Sequence, residues 1–539
     1  MSYAGKIGHI SLGQIGLLTD LPPGDVPRGA LILANNVSFE TGAITKAPGS
    51  IKYNTNALPA GIVAVHDYWP DIVTQRLIAL CSNGSVYRDE GDRVFSANVP
   101  IVEDLMAVTP QAQFIEGGQE TALRDKKLFL YTGTNQIMVL PGDGIAFAAM
   151  SQPAVDWTTP DFPRFGFIHR NRHWAFMKQR AYASTTSDHE DFVSSGILTQ
   201  SIYPGEGGDL IGGWVFKGRP FVVKEGGYVY YLDDSDVDSD NWNWKKLASN
   251  FGLASPHSVF ETTNDLLALN ESGALISYTA VNTYGGIDSA DIYKILQVAD
   301  YVRKNTSLNG VSMTHTIYYE DKKQIFITGR SGYFNNNNLL IHIDLNKQQP
   351  RVAFWDKDAP DCLSFRKDIN KIKRPIYGAA DGFVYIMDRE NRLVGASAYT
   401  GEFKTGHYDF RDLDETLAHK NKLFDFLAVE FVPQGNWNLN VDVYIDGKYS
   451  ETIYFNMDVR DDGLDNFTLG SGAGGGITTP DGGDGDPLGR EEAQTIQKPL
   501  HGSGRRISFH CRQSGSNQNF SVASLTVGFR VSAEQATRV

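Results

Sequence analysis

The sequence predicts an all-β protein: a β-propeller of about six to eight blades, an extended N-terminal segment before it and a C-terminal β-sandwich-like domain after it. Three observations point there. The 539 residues include 54 glycines, 29 phenylalanines and 24 tyrosines, and the many short β-branched runs between them suit brief strands joined by tight turns. Helical periodicity is missing, with no convincing stretch of apolar residues at i, i+3, i+4 and i+7; Leu417–Leu427 comes nearest, and the alternation of LFDFLAVEF reads as a strand from Leu423. Finally, one hairpin pattern recurs, in which an apolar strand reaches Gly, Asn or Asp and an aromatic or β-branched strand returns.

The pattern begins at Leu77, Lys127, His173, Pro220, Leu266, Gln324 and Pro375, roughly 45 to 60 residues apart, close to the period of a propeller blade. Asn83-Gly84 and Asp381-Gly382 are expected to supply the positive φ angles of two-residue hairpins, with Glu225-Gly226-Gly227 and Ser272-Gly273 as looser versions. The propeller is placed at residues 61–400. Residues 1–60 hold turn signals such as Leu21-Pro22-Pro23-Gly24 and Lys46-Ala47-Pro48-Gly49. They contain too few apolar residues for a core, so an extended segment is expected to pack on the propeller or on a neighbouring subunit. Residues 401–539 carry longer alternating strands from Phe424, Asn438, Arg505 and Phe520, the second turning at Asp446-Gly447, and read as an antiparallel sandwich. The glycine-rich, acidic loop 469–490 reads as a mobile loop or interface arm.

Composition excludes several function classes. With 63 acidic against 49 basic side chains the net charge is −14, which disfavours a protein that holds nucleic acid by neutralising phosphates. Cys81, Cys362 and Cys511 lie far apart in sequence, so neither a disulfide framework nor a cysteine zinc site is expected. No apolar run approaches a membrane span, and the opening MSYAGKIGHISLGQIG lacks the blocks of a signal peptide, so a chain without a transmembrane segment, not exported by the usual route, is expected.

No phosphate-cradle, zincin or hydrolase-elbow motif is present, and the expectation is a non-enzyme with no catalytic, cofactor-binding or metal residue and no cofactor. Five features nevertheless hold chemical potential. Asp233, Asp234, Asp236, Asp238 and Asp240 alternate as Ca²⁺ ligands do, but counted from Asp234 the sixth and twelfth positions are Ser239 and Lys245, unlike an EF-hand loop, and a solvated inter-strand loop is preferred. The same holds for Asp481, Asp484 and Asp486. His189 lies between Asp188 and Glu190, a pattern that can tune an acid–base histidine but fits a structural or interfacial one better. Asn335–Asn338 reads as a carbohydrate-contact loop or a plain turn. Arg170, Arg172, Lys178 and Arg180 interleave with Trp174 and Phe176, and either grip nucleic acid or, as preferred here, serve subunit contacts or cation–π packing.

Three segments resemble the tail proteins of short-tailed bacteriophages. GQIGLLTDLPPGDVPRGALILANNVSFETGAITKAPG, from Gly13, resembles their start, running from a glycine and an Asp-x-x-Pro element through Asn-Asn-Val to Pro-Gly. Phe165–Phe192 is similar to their Arg-x-Arg strand, hairpin and Ser-containing strand ending in an acidic residue and Phe; FGLASPHSVFETTNDLLALNESGALISY from Phe251 is a third likeness. The nearest families are the tail nozzle, or tail tubular protein B, and the tail-hub proteins that stabilise packaged DNA. The resemblance implies a structural protein of the virion tail, made in the host bacterial cytoplasm. It implies a homo-oligomeric, hexameric ring around the DNA channel that retains the genome and conducts it at ejection. Tail adaptor or portal-side proteins, tail fibre or spike proteins, double-stranded DNA passing without specific binding, and contact with the host envelope are the implied partners. An acidic inner wall would let DNA slide. The alternative is a carbohydrate-binding or depolymerising tail protein acting in host-receptor recognition.

Overall fold

The turns of the sequence repeat build one local device several times over. At Cys81–Ser85 the amide of Gly84 donates to the Cys81 carbonyl at 2.9 Å and the amide of Cys81 to the Ser85 carbonyl at 2.9 Å. Lys224–Tyr228, Asn270–Ala274 and Ala379–Phe383 close with the same pair of bonds. Only the glycine of each turn has positive φ: Gly84, Gly227, Gly273 and Gly382. These are type I turns followed by a left-handed glycine, not the expected two-residue hairpins. Asn83 and Asp381 instead accept, through their side chains, from the amides of Ser85 and Phe383, each at 3.1 Å, which pre-forms the turn.

The computed structural model describes residues 5–531 except 92, 96–100, 103–111, 119–125, 249–250, 285–289, 307–312, 332–336, 348, 369 and 459–492. Loop 469–490, with Asp481, Asp484 and Asp486, lies outside the described residues. The chain forms two compact units. One comprises Pro48–Asn346 and Phe354–Ser397, the other Met1–Ala47, Lys347–Ala353 and Ala398–Val539.

The larger unit is a β-propeller. Among the described residues five small antiparallel sheets and two further sets of antiparallel strands, those from Thr316 and from Pro360, which belong to larger sheets, follow one another, within the expected six to eight blades. Their inner strands are Ile62–Tyr68, Gln113–Gly117, Phe165–His169, Leu210–Phe216, Val259–Glu261, Thr316–Tyr319 and Pro360–Lys367; blades 1 to 7 are numbered by them. Neighbouring blades share apolar cores: Leu80 with Leu130 between blades 1 and 2, Phe129 with Ala175 between 2 and 3, Trp174 with Tyr230 between 3 and 4, and Phe221 with Leu266 between 4 and 5. Three short helices, Tyr278–Tyr284, Ile292–Ile295 and Ala299–Asn305, separate blades 5 and 6.

The ring closes where blade 7 packs on blade 1. Cys81, Ile62 and Leu77 share a core with Cys362, Ile376 and Val384. The fit leaves no room at Gly378, where a Cβ would lie 2.5 Å from Ile62 and 2.8 Å from the Cys362 sulfur. Blade 7 takes its outer strand from far upstream, since Gly49–Lys52 pairs antiparallel with Val384–Arg389, Lys52 opposite Tyr385 and Ile51 opposite Ile386. Ser50 donates to Asp358 Oδ1 at 2.7 Å and the Tyr377 hydroxyl donates to the same oxygen at 3.0 Å. Lys357, itself buried, forms an ion pair with Asp358.

The smaller unit is a sandwich of two sheets. Ser521–Val531 is central in one, pairing with Lys422–Phe431, with Ile44–Lys46 and with Lys6–Ser11. The other runs Leu31–Asn35, Gly401–Thr405, Ile507–Gln513, Asn438–Ile445, Lys448–Asn456. Inward residues such as Val441, Phe509, Val429 and Val527 are fully buried, and the rings of Phe403 and Phe520 meet across the interior at 5.9 Å. Asp446-Gly447 turns as expected, with both residues at positive φ.

One expectation needs correction. The N-terminal segment through Ala47 belongs to the sandwich unit and not to the propeller: Lys6–Ser11 and Ile44–Lys46 pair with Ser521–Val531, and Val37–Ser38 pairs with Ile44–Lys46, burying Ile10, Val37 and Ile44. Gly401–Thr405 is a ladder strand flanked on both edges. Replacing Asp358 by Ala removes the acceptor for Ser50 and Tyr377 and takes the carboxylate from a buried lysine, so the full-length chain should lose about 3 kcal/mol or more of stability, read as a lowered urea midpoint by tryptophan fluorescence.

Candidate functional site

The acidic run of blade 4 disperses its carboxylates. Asp233 pairs with Lys245 and accepts from Ser235 Oγ at 2.8 Å. Asp234 accepts from His169 Nε2 at 2.8 Å and Arg170 Nε at 2.9 Å. Asp236 accepts from the Asp238 amide at 2.9 Å, and Asp238 from the Asp240 amide at 3.1 Å. Each of these four acids serves its own cation or turn, and among the described residues no group of three or more His, Cys, Asp or Glu is placed to hold a metal.

The basic hairpin of blade 3 is equally occupied. Arg172 is buried and donates to the carbonyls of Ser184 and Gly196 at 2.7 and 2.6 Å. Lys178 pairs with Asp161 and Arg180 with Asp156. Trp174 and Phe176 lie in the core with no exposure, so the interleaved pattern forms neither a stacking platform for bases nor the preferred cation–π packing; its charges pair with carboxylates and carbonyls. The asparagine run also turns inward. Asn337 donates to the Met313 carbonyl and Thr328 Oγ1, and Asn338 to Ser331 Oγ, whereas Asn335 and Asn336 lie outside the described residues.

His189 is buried, and its Nδ1 accepts from the Gly118 amide at 2.9 Å, which fixes the neutral tautomer; burial pushes its pKa down. The surrounding network went unseen in the sequence. His173 Nδ1 meets the His189 carbonyl at 2.9 Å and its Nε2 meets the Tyr131 hydroxyl at 2.5 Å, with the ring tilted over Phe129 at 4.2 Å. Burial pushes His173 down to about 3 and raises Tyr131 well above its ordinary value. Two neutral imidazoles and a phenol thus form a polar core between blades 2 and 3. The three cysteines are buried and unpaired by disulfides, Cys81 with a thiol pushed up to about 12 by burial.

The propeller axis holds a cavity of about 180 Å³ lined by His66, Gln113, His257, His315, Cys362 and Ser364. His66 Nε2 meets Glu116 at 2.9 Å, and His257 and His315 stack nearly parallel at 4.3 Å, with His257 Nε2 donating to the Ala112 carbonyl at 2.8 Å. These histidines come from three blades nearly 250 residues apart in sequence, so no linear spacing revealed them. The sandwich has its own cleft of about 640 Å³, lined by His407, Asp409, Arg411, Glu415, His419, Asp446, Arg505 and Arg506. Asp409 holds Arg411 at 2.7 Å, and Asp446 accepts from the backbone amides of Arg505 and Arg506. Beneath it the buried Lys422 ammonium donates to the carbonyls of Leu417, Lys420 and Arg505, and burial pushes its pKa down to about 8.

No protein-family description and no curated protein matches the chain. Solved structures similar to it are YCF48 bound to a D1 peptide (12% identity, TM-score 0.36, over 63% of this chain and 97% of that one), the BBS1N–ARL6DN complex (10%, 0.38, over 64% and 97%) and the extracellular domain of the hybrid two-component system BT4673 from B. thetaiotaomicron (12%, 0.38, over 77% and 46%). At such identities they speak of fold alone, and the propeller assignment rests on the sheet order itself.

His173 provides a pH test. Its folded pKa lies below the ordinary value near 6.5, so the unfolded chain binds the extra proton between pH 6.5 and about 3. Stability should therefore be full above pH 6.5 and fall as pH drops through that window, by up to about 1.4 kcal/mol per unit from this group. In urea titrations between pH 7 and 5, His173→Gln should be less stable than the parent at pH 7 and show a shallower slope.

Proposed function

We propose that this chain is a structural component of a short bacteriophage tail, a non-enzymatic nozzle or hub subunit whose copies form a hexameric ring around the DNA channel, retain the packaged genome and conduct it at ejection. The observation that carries the reading is where the three resembling segments fall. In the first, Asn36 sits at positive φ and its side chain donates to the Thr400 carbonyl at 2.8 Å. In the second, Ser184 Oγ accepts from the His173 amide, Asp191 accepts from the amides of Val193 and Ser194, and Phe192 packs on Trp157. In the third, Ser255 and Ser258 hold the entry to blade 5 through a bond of 3.0 Å. Each motif residue builds backbone geometry, as expected where a motif is kept for assembly and not for turnover.

Charge and dimensions support the same reading. The propeller unit carries 31 Lys and Arg against 40 Asp and Glu, a net −9, so a wall made from it repels phosphate. Its axial cavity, about 180 Å³, has room for only about six waters. A double helix does not pass along a single propeller axis, and a channel must lie between copies.

Cryo-electron microscopy of mature particles, with infection by deletion mutants, tests the proposal. Six copies around a DNA-wide lumen below the portal are expected, with DNA leakage or non-infectious heads when the chain is absent. A threefold peripheral position at fibre tips, or polysaccharide hydrolysis abolished by replacing one carboxylate, would favour the host-receptor alternative instead.

A further inference from the structure

In a propeller the loops between first and second strands, and between third and fourth strands, all emerge on one face, because each blade runs up and down in the same sense. Of the other hairpin turns, on the opposite face, those of blades 1, 4, 5 and 7 are the short Gly-containing turns described above. On the first set an aspartate followed by an exposed aliphatic side chain recurs over five consecutive blades, between first and second strands in blades 7 and 1 and between third and fourth strands in blades 2, 3 and 4. In blade 7 Asp368 precedes Ile372; in blade 1 Asp71 precedes Ile72 and Val73; in blade 2 Asp143 precedes Ile145; in blade 3 Asp191 precedes Val193; and in blade 4 Asp236 precedes Val237. Each of these aliphatic side chains is exposed, from 41% at Ile372 to Val237, which is fully exposed. Large apolar groups standing in water on one face of five consecutive blades mark an interaction site more strongly than scattered ones do.

The aspartates explain how the tips are held out. Asp71 Oδ1 accepts from the amides of Val73 and Thr74, both at 2.7 Å. Asp191 Oδ1 accepts from Val193 at 3.0 Å, Asp236 Oδ1 from Asp238 at 2.9 Å, and Asp368 Oδ1 from Ile372 at 3.0 Å. Each carboxylate grips the backbone of the residues that follow it, so the loop is pinned with its aliphatic side chain outward. Amide donors also favour the ionised carboxylate. The five loops, 69–75, 142–147, 184–197, 234–242 and 368–372, contain ten acidic residues and one lysine, Lys371. Arg76 pairs with Asp143, Lys127 with Asp188 and Glu190, Arg170 with Asp234 and Arg374 with Asp368, whereas Asp71, Asp191, Asp236 and Asp238 are engaged by backbone amides.

We infer that this arc, on the long-loop face of blades 7, 1, 2, 3 and 4, docks a protein partner whose surface sets apolar side chains beside lysines and arginines. Charge complementarity selects that occupant. Nucleic acid and anionic lipid are repelled by the carboxylates, and a second copy of this chain brings a net −14 of its own. The inference does not depend on the tail assignment, because a propeller in any assembly would use the arc in the same way.

The test places a photo-crosslinking amino acid at Ile72 or Val237, and as controls at Ser82 or Glu271 on the opposite face, in the full chain within its native assembly. The expected result is an adduct at the arc positions only, with a different polypeptide whose attached peptide carries both apolar residues and Lys or Arg. Asp71→Asn, Asp236→Asn and Asp238→Asn together keep the amide acceptors, and so the loops, while removing charge; they should reduce the adduct at Ile72 and Val237 to the control level. Adducts no stronger than at Ser82, adducts with another copy of this chain, lipid or nucleic acid, a partner peptide without basic residues, or yield unchanged by the triple Asn variant would each overturn it.

Discussion

A ring of blades has no free edge only if its last sheet packs on its first, and that closure governs the rest of the propeller. Blade 7 meets blade 1 through a core in which Cys362, Ile62 and Cys81 are fully buried, with Gly378 admitting the approach. Its outer strand comes from residues 49–52, joined by Asp358 to Ser50 and Tyr377. The seam therefore unites sequence separated by more than 300 residues, a contact that costs chain entropy before it returns burial. The same closure sets the course of the chain before it. The segment through Ala47 belongs to the sandwich unit, where strands from both ends of the chain complete one sheet.

Polar side chains in this protein act mostly at short range. A carboxylate followed by one or two residues and a backbone amide forms a turn on its own, and Asp233, Asp234, Asp236 and Asp238 of blade 4 follow that rule or pair with a nearby cation. Catalysis requires the opposite arrangement, in which groups from distant elements converge on one reacting atom. Where His173 meets Tyr131 and His189, burial holds both imidazoles neutral against aromatic rings.

The propeller was legible in sequence because its signals are local. A strand, a Gly-containing turn and a returning strand fall within about fifteen residues, and four of the seven quoted hairpins share one turn geometry with the glycine where the sequence places it. The assignment of Asn83 and Asp381 to left-handed backbone failed, because an acceptor side chain stabilises a type I turn just as well. The N-terminal segment misled for a different reason: few apolar residues per stretch do not prevent folding when each short strand borrows a partner from the C-terminal half. For the charged hairpin of blade 3 the sequence offered a nucleic-acid grip beside the preferred subunit contacts or cation–π packing, because alternation tells which residues share a face, but Asp161, Asp156 and the Ser184 carbonyl, which decide whether the charges are satisfied, are invisible to periodicity. The axial histidines could not be read at all, since residues 66, 257 and 315 meet only through blade geometry.

The two faces of the propeller differ in a way that connects turn chemistry to use. Short glycine turns must present polar or glycyl residues, because a type I turn with a left-handed glycine leaves no space for a bulky tip. Blades 1, 4, 5 and 7 share that turn. The long loops carry no such constraint, and evolution of a binding surface acts on loops held by a rigid scaffold. Here the scaffold supplies the inner strands, the aspartate turns supply local rigidity, and the aliphatic tips remain exposed, so the entropy of ordering each loop has been met before any partner arrives. A surface prepared in this way loses little on docking, and it is the part of the propeller whose chemistry is not consumed by holding the ring together.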